Sequence, residues 1–189
     1  MNEQKSANPA VLGLLGYGVS TVLLSLANSG LYAVDGMVLV MGVFFGGIAQ
    51  TIVAVMAFRL GDTFGVTAFG GYSFLWLSFA FLNIGAINGW WTVSSVAIGW
   101  YLLLWMVFTI GLVVASAVAP RMLTIILALT AVLLGSLGVG ALTGNAAISL
   151  FGGIEGVVTG ALAIYLAFAF LINEMYAKAV LPVGAPLRA

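Results

Sequence analysis

The 189-residue sequence contains no cysteine and no histidine. A disulfide, a thiolate nucleophile, a Cys/His zinc site, imidazole ligation of haem and an imidazole proton relay are therefore all excluded. Charge is nearly as scarce. Five basic and five acidic residues make up 5% of the chain, and the formal net charge is zero. A water-facing shell needs roughly a quarter charged residues, so an ordinary soluble enzyme is ruled out. A disordered chain goes the same way, as does a nucleic-acid binder, which needs a basic surface. No run of like charge suggests an acidic partner or a lipid-binding polybasic tail. What the chain has in quantity is apolar: 63% hydrophobic residues and a mean hydropathy of +1.26. The expectation is an all-α, polytopic integral membrane protein, one transmembrane domain over residues 1–189, with no metal and no cofactor. Met1 to Ala7 is short, polar and without the basic start or cleavage site of a signal peptide, so the first apolar stretch is expected to remain in the mature protein.

The few charges divide the chain into spans. A helix crossing a bilayer needs about 20 mostly apolar residues. The stretch from Lys5 to Asp35 holds one span, about Ala10 to Ala27, and Asp35 to Arg59 holds another, Gly36 to Phe58. Between Asp62 and Arg121 there is room for two, with the break expected at Asn83 to Ser95, where Gly85, Asn88, Gly89, Thr92, Ser94 and Ser95 cluster. The fifth runs from Met122 to about Leu142 and the sixth from Phe151 to Ile172. Barrel strands would be about ten residues long and alternate in polarity, and no such period is present. Pro9, Pro120, Pro182 and Pro186 all fall at or beyond the expected helix ends.

Six spans put both termini on one side: a segment at 1–9 and a tail at 176–189. Lys5, Arg59, Arg121, Lys178 and Arg188 share that side, and the opposite loops hold Asp35 but no basic residue. The excess of Lys and Arg in cytoplasmic loops then predicts cytoplasmic termini in a plasma or inner membrane. Trp90 and Trp91 read as interfacial aromatics or as ordinary loop residues.

Small residues recur at four-residue spacing: Gly42 and Gly46, Ser136, Gly140 and Gly144, and Gly152, Gly156 and Gly160. Such faces let helix backbones approach closely. Packing within one protomer, a subunit interface and a glycine-lined conduit all fit this pattern. Polar residues inside spans are more telling, since each must face protein or water. Tyr17, Ser20, Thr21, Thr67, Tyr72, Ser73, Tyr101, Thr109, Thr124 and Thr130 are of this kind, and most satisfy themselves on their own helix carbonyls. Gln50 does so less easily and is expected to project into a wet or hydrogen-bonded interior. Glu155 is placed near the outer end of the sixth span, either paired at the headgroups or acting as a proton-accepting or gating carboxylate. Glu174 marks that helix's other end. Asp35 is expected to cap the second span.

These residues also carry a likeness. Asn8-Pro9-Ala10-Val11-Leu12-Gly13-Leu14 resembles the N-terminal NPAPLGL signature of the acetate uptake transporters, the succinate–acetate permeases. Phe45-Gly46-Gly47-Ile48-Ala49-Gln50 resembles that family's second-helix motif. Asp62-Thr63-Phe64-Gly65, Gly144-Asn145-Ala146-Ala147 and Leu181-Pro182 with Gly184 follow in order. The resemblance implies a homo-oligomer, a hexameric ring with one pore per protomer. It implies a narrow constriction with Tyr17 and Tyr72, completed from the fifth helix by Leu129 or Thr130. Three departures stand out. Val11 replaces a second proline, Tyr17 a phenylalanine, and Gln50 an asparagine found in some relatives.

The expected function is transport of small monocarboxylates, acetate and possibly succinate among them. No Lys or Arg lies within the spans to trap an anion, and neutral groups (Gln50, Asn145, Tyr72, Thr67, Thr109) would replace part of its hydration shell. Channel-like permeation and proton-coupled symport need the same walls, and only Glu155, Glu174 and Asp35 offer titrating groups. A channel for a neutral solute such as urea is the alternative within transport. An intramembrane enzyme lacks its reactive residues, and a non-conducting assembly protein leaves the buried polar groups unexplained.

Overall fold

The computed structural model describes residues 6–188, so Lys5 and the rest of 1–5 lie outside the described residues. Six helices long and apolar enough to cross a membrane follow one another: α1 (Ala10–Asn28), α2 (Gly36–Arg59), α3 (Thr63–Ile87), α4 (Ser95–Val118), α5 (Arg121–Thr143) and α6 (Ala146–Met175). The last three residues of α4 tighten into a 3₁₀ turn, Ser116–Val118. The end carrying residues 6–9 and 176–188, with the 60–62 and 119–120 connections, is called basal here. The other end, with the loops 29–35, 88–94 and 144–145, is distal.

Local chemistry sets the helix ends. Asp35 Oδ1 accepts from Met37 N at 2.9 Å, capping α2 as its sequence position suggests. Asp62 caps α3 through Gly65 N at 2.8 Å. Gly144 closes α5 in the left-handed region, φ +66, a conformation that a Cβ would strain. Asn145 then caps α6 through Ala147 N at 3.0 Å. At the basal end the C-terminal segment folds back. Val183 O and Gly184 O accept from the first free amides of α5, Met122 N at 3.0 Å and Arg121 N at 3.3 Å.

Two expected boundaries differ. Helix α3 continues through Asn83 and Gly85 to Ile87, leaving only 88–94 as loop. Asn83 Nδ2 satisfies itself on Phe79 O at 2.8 Å. Gly85 leaves the space that the Trp91 indole fills, and that indole donates to Leu82 O at 3.2 Å. Trp91 is thus a packing residue, whereas Trp90 is 60% exposed. Helix α6 starts five residues earlier than expected, so Glu155 lies inside the span, roughly 14 Å from the helix start at helical rise.

The helices form a ring in which α3, α2, α1, α6, α5 and α4 are successive neighbours. Its closest seams are made by the glycine faces, within this one chain. A Cβ on Gly160 would sit 2.8 Å from Gly18 O, and one on Gly18 the same distance from Gly160 O. Gly156 meets Ser25 and Leu133, and Gly42 and Gly46 receive Trp76. Between α1 and α2 the approach is also close. Over Gly42–Ala49, helix α2 widens into eight residues of π-helix. That turn brings Phe45 O against Gly16 and lets Ser20 Oγ donate to Met41 O at 3.2 Å. Across the ring, α1 and α5 do not touch backbone to backbone, and their space is bridged by side chains.

Candidate functional site

The ring leaves two cavities on its axis. The distal one, about 400 Å³, is lined by Tyr17, Thr21, Ser25 and Asn28 of α1, by Tyr72, Trp76, Phe79 and Asn83 of α3, and by residues of the remaining wall. The basal one, about 140 Å³, is lined by Leu14, Gln50, Asp62, Phe64, Phe69 and Phe170 among others. Three side chains line both: Tyr17, Tyr72 and Thr130. They form the partition between the cavities and are almost wholly buried, at 7%, 5% and 2% exposure.

The polar atoms of the partition are tied to one another and to neighbouring helices. Tyr17 Oη lies 2.6 Å from Thr130 Oγ1 across the ring, and Tyr72 Oη lies 3.0 Å from Thr109 Oγ1. The two tyrosine rings tilt at 46° with centroids 5.3 Å apart, and Tyr72 meets Phe108 edge-on at 5.9 Å. Aromatic pairs in such offset geometries add to the area they bury. Neither cavity lining contains Lys or Arg, and Asp62 is the one charged residue in either.

The sequence-derived residues separate clearly. Tyr17, Tyr72, Thr130 and Gln50 converge on this axis, and Leu129, one step round α5, lines neither cavity. Gln50 is fully buried beside the π-helical turn. Its Nε2 donates to Gly13 O at 3.1 Å, while Oε1 has no hydrogen-bond partner. Thr109 lines neither cavity and acts on the partition only by holding Tyr72. Thr67 faces outward on α3, its hydroxyl returned to Thr63 O at 2.9 Å, so it can meet an apolar medium unaided. Asn145 is an exposed helix cap outside the pathway. Asn8 Oδ1 caps the start of α1 by accepting from Ala10 N at 3.0 Å, with Pro9 immediately before the helix. Glu155 accepts from Thr159 Oγ1 at 2.5 Å, its Oε2 is buried without a partner, and it lines neither cavity.

Sequence reading missed the distal wall. A signal was there: Tyr17, Thr21, Ser25 and Asn28 recur at three- and four-residue spacing along one face of α1. Tyr72, Trp76, Phe79 and Asn83 do the same on α3.

Six apolar spans ringed around a divided axial passage with no cationic side chain in its lining have the plan of a membrane transport protein. The chain belongs to the GPR1/FUN34/yaaH family, whose profile matches residues 1–185. It is 41% identical to the succinate-acetate/proton symporter SatP of Escherichia coli over 97% of this chain and 98% of that one. It is 34% identical to the ammonia transport outward protein 2 of Saccharomyces cerevisiae, over 87% of this chain and 61% of that protein. A solved structure of the bacterial acetate channel SatP superimposes with a TM-score of 0.94 at 41% identity, covering 95% of this chain and all of that one.

Proposed function

We propose that the protein carries small monocarboxylates, acetate foremost, along the axis from one cavity to the other past Tyr17, Tyr72 and Thr130. The observation that carries this reading is the shared partition: two cavities in one bundle end on the same three side chains. A lining without Lys or Arg lets an acid leave as readily as it enters, the condition for conduction through weak sites. A bare carboxylate in the partition would still lose hydration worth on the order of several kcal/mol. The acid's own proton lowers that barrier, so uptake rises as pH falls toward the acid's pKa. The names of the bacterial relatives, one a symporter and one a channel, support the acetate reading.

Arg59, Arg121, Lys178 and Arg188 gather at the basal end, which supports cytoplasmic termini in a cell membrane. The outward stripe Trp100, Leu104, Val107, Ile110 and Val114 on α4 is exposed and apolar. It suits lipid or a neighbouring protomer, and a hexameric ring with one pathway per protomer is the assembly we favour. Labelled acetate flux into proteoliposomes, against empty liposomes and with propionate, succinate or urea as competitor, tests the reading. Competition by urea but not by propionate would replace the substrate class.

A further inference from the structure

The partition has no spare hydroxyl proton. Thr130 Oγ1 gives its single proton to Ile126 O at 2.7 Å, so Tyr17 must be the donor in their shared bond. Thr109 Oγ1 gives its own to Trp105 O at 2.8 Å, so Tyr72 is likewise the donor to Thr109. A carboxylate arriving at the partition therefore finds the three hydroxyl oxygens of Tyr17, Tyr72 and Thr130 and no free O–H.

On the basal side the remaining capacity is concentrated in one group. Gly13 O can only accept, which fixes the orientation of the Gln50 amide with Nε2 toward it. One Nε2 proton is used in that bond and a second is left. Oε1 is buried and unfilled, and a buried acceptor without a donor is an unfavourable state that a suitable guest relieves. Gln50 lines a chamber of about 140 Å³, with the aromatic rings of Phe64, Phe69 and Phe170 in the same wall. Among the residues lining that chamber, the titratable ones are Tyr17, Tyr72 and Asp62. Asp62 is an acceptor-only carboxylate and repels an anion. Glu155, from α6, is outside the lining.

We propose that the Gln50 amide recognises the proton-bearing form of the carboxylic acid, accepting its O–H on Oε1 and offering the second Nε2 proton to its carbonyl. This rests on the transport reading above and adds to it the chemical form of the substrate in the basal chamber. A neutral acid matches a primary amide at both points. A carboxylate matches only the N–H and sets an oxygen lone pair against Oε1. The proton stays on the acid throughout, and no protein group takes it up. Proton-coupled transport then needs no titrating side chain on the axis.

The test is labelled acetate uptake by proteoliposomes at fixed total acetate over several pH units, with empty-liposome flux subtracted. Above the acid's pKa the parent's initial rate should fall about tenfold per pH unit, following the acid form. Acetamide, which presents the same paired donor and acceptor, should compete. Gln50→Met, of similar length, should lower the low-pH uptake rate several-fold and abolish acetamide competition, while the intact partition keeps the pH slope. Gln50→Asn keeps the chemistry but withdraws its reach, so KM should rise several-fold with the pH slope retained. Should Gln50→Met fail to fold, the Gln50→Asn result decides, and an unchanged KM there overturns the proposal. Parental low-pH uptake and acetamide competition in Gln50→Met overturn it while leaving transport intact. Competition by ammonium instead of acetamide also overturns it, assigning Oε1 to a cation. If the parent shows no flux above empty liposomes, the transport reading itself fails.

Discussion

The two cavities differ in kind as well as in size. The distal one, about 400 Å³, has amide and hydroxyl groups on both flanks: Thr21, Ser25 and Asn28 on α1, Asn83 on α3, Ser149 on α6. The basal one, about 140 Å³, has phenylalanines and leucines, with Gln50 and Asp62 as the polar side chains beyond the partition. A hydrated guest has room and many partners on the distal side, and on the basal side little room and few partners, Gln50 chief among them. Dehydration is therefore concentrated at one plane, where Tyr17, Tyr72 and Thr130 meet. On the transport reading proposed above, selectivity between acids is decided there, and the wide distal chamber gathers them.

The largest effect is expected where the ring cannot close. Gly160→Leu drives a side chain into the α1 backbone at Gly18 O and Val22 N. Both cavities should be lost with the fold, seen as loss of the folded peak in size-exclusion chromatography of the detergent-solubilised protein. Tyr17→Ala should merge the two cavities and leave the fold weakened by about 3–5 kcal/mol, the usual range for removing a buried aromatic. Flux of bulkier acids such as benzoate should then approach that of acetate. Flux and substrate range indistinguishable from the parent would remove the partition from the account.

Thr130→Val is a gentler probe of the same plane. It keeps the shape but leaves the Tyr17 hydroxyl without its acceptor, for a loss of about 1–3 kcal/mol. Thermal unfolding in detergent measures this, and Leu129→Val, beside it but outside both cavities, should leave flux unchanged. The smallest effect belongs to the basal rim. Asp62→Ala removes the α3 cap, about 1 kcal/mol, together with the sole carboxylate of the basal lining. Acetate flux should change little, because a neutral acid is not repelled by a carboxylate, and thermal unfolding in detergent measures the lost cap.

The elements whose physics is local were legible in the sequence. Apolar runs between charges gave the six spans to within a few residues, because a helix in a bilayer satisfies its own backbone. Asp35 was readable as a cap because capping depends on two or three neighbouring amides. The misreadings share one cause. Asn83 and Gly85 looked like loop residues, yet one is satisfied by its own helix and the other makes room for Trp91 from the next loop. Thr67 and Thr130 are alike in sequence, each bonded to the carbonyl four residues back. What separates them is helix rotation, which turns Thr67 outward and Thr130 onto the Tyr17 hydroxyl. Asn145 and Asn28 are both asparagines at distal helix ends, and only Asn28 faces the axis. Leu129 and Thr130 could not be separated without the register of α5.

Composition and spacing by themselves determined that this chain spans a membrane six times, with both ends on one side and no cation within. Those properties follow from transfer free energies summed along the chain, and each residue contributes independently of the others. The division of the axis into two unequal chambers was decided only by the tertiary structure. It depends on glycine seams narrow enough to bring α1 against α6, and on a π-helical turn that sets Gln50 beside Gly13. It depends equally on hydroxyls 113 residues apart in sequence meeting across the ring, a coincidence in space that no local pattern encodes.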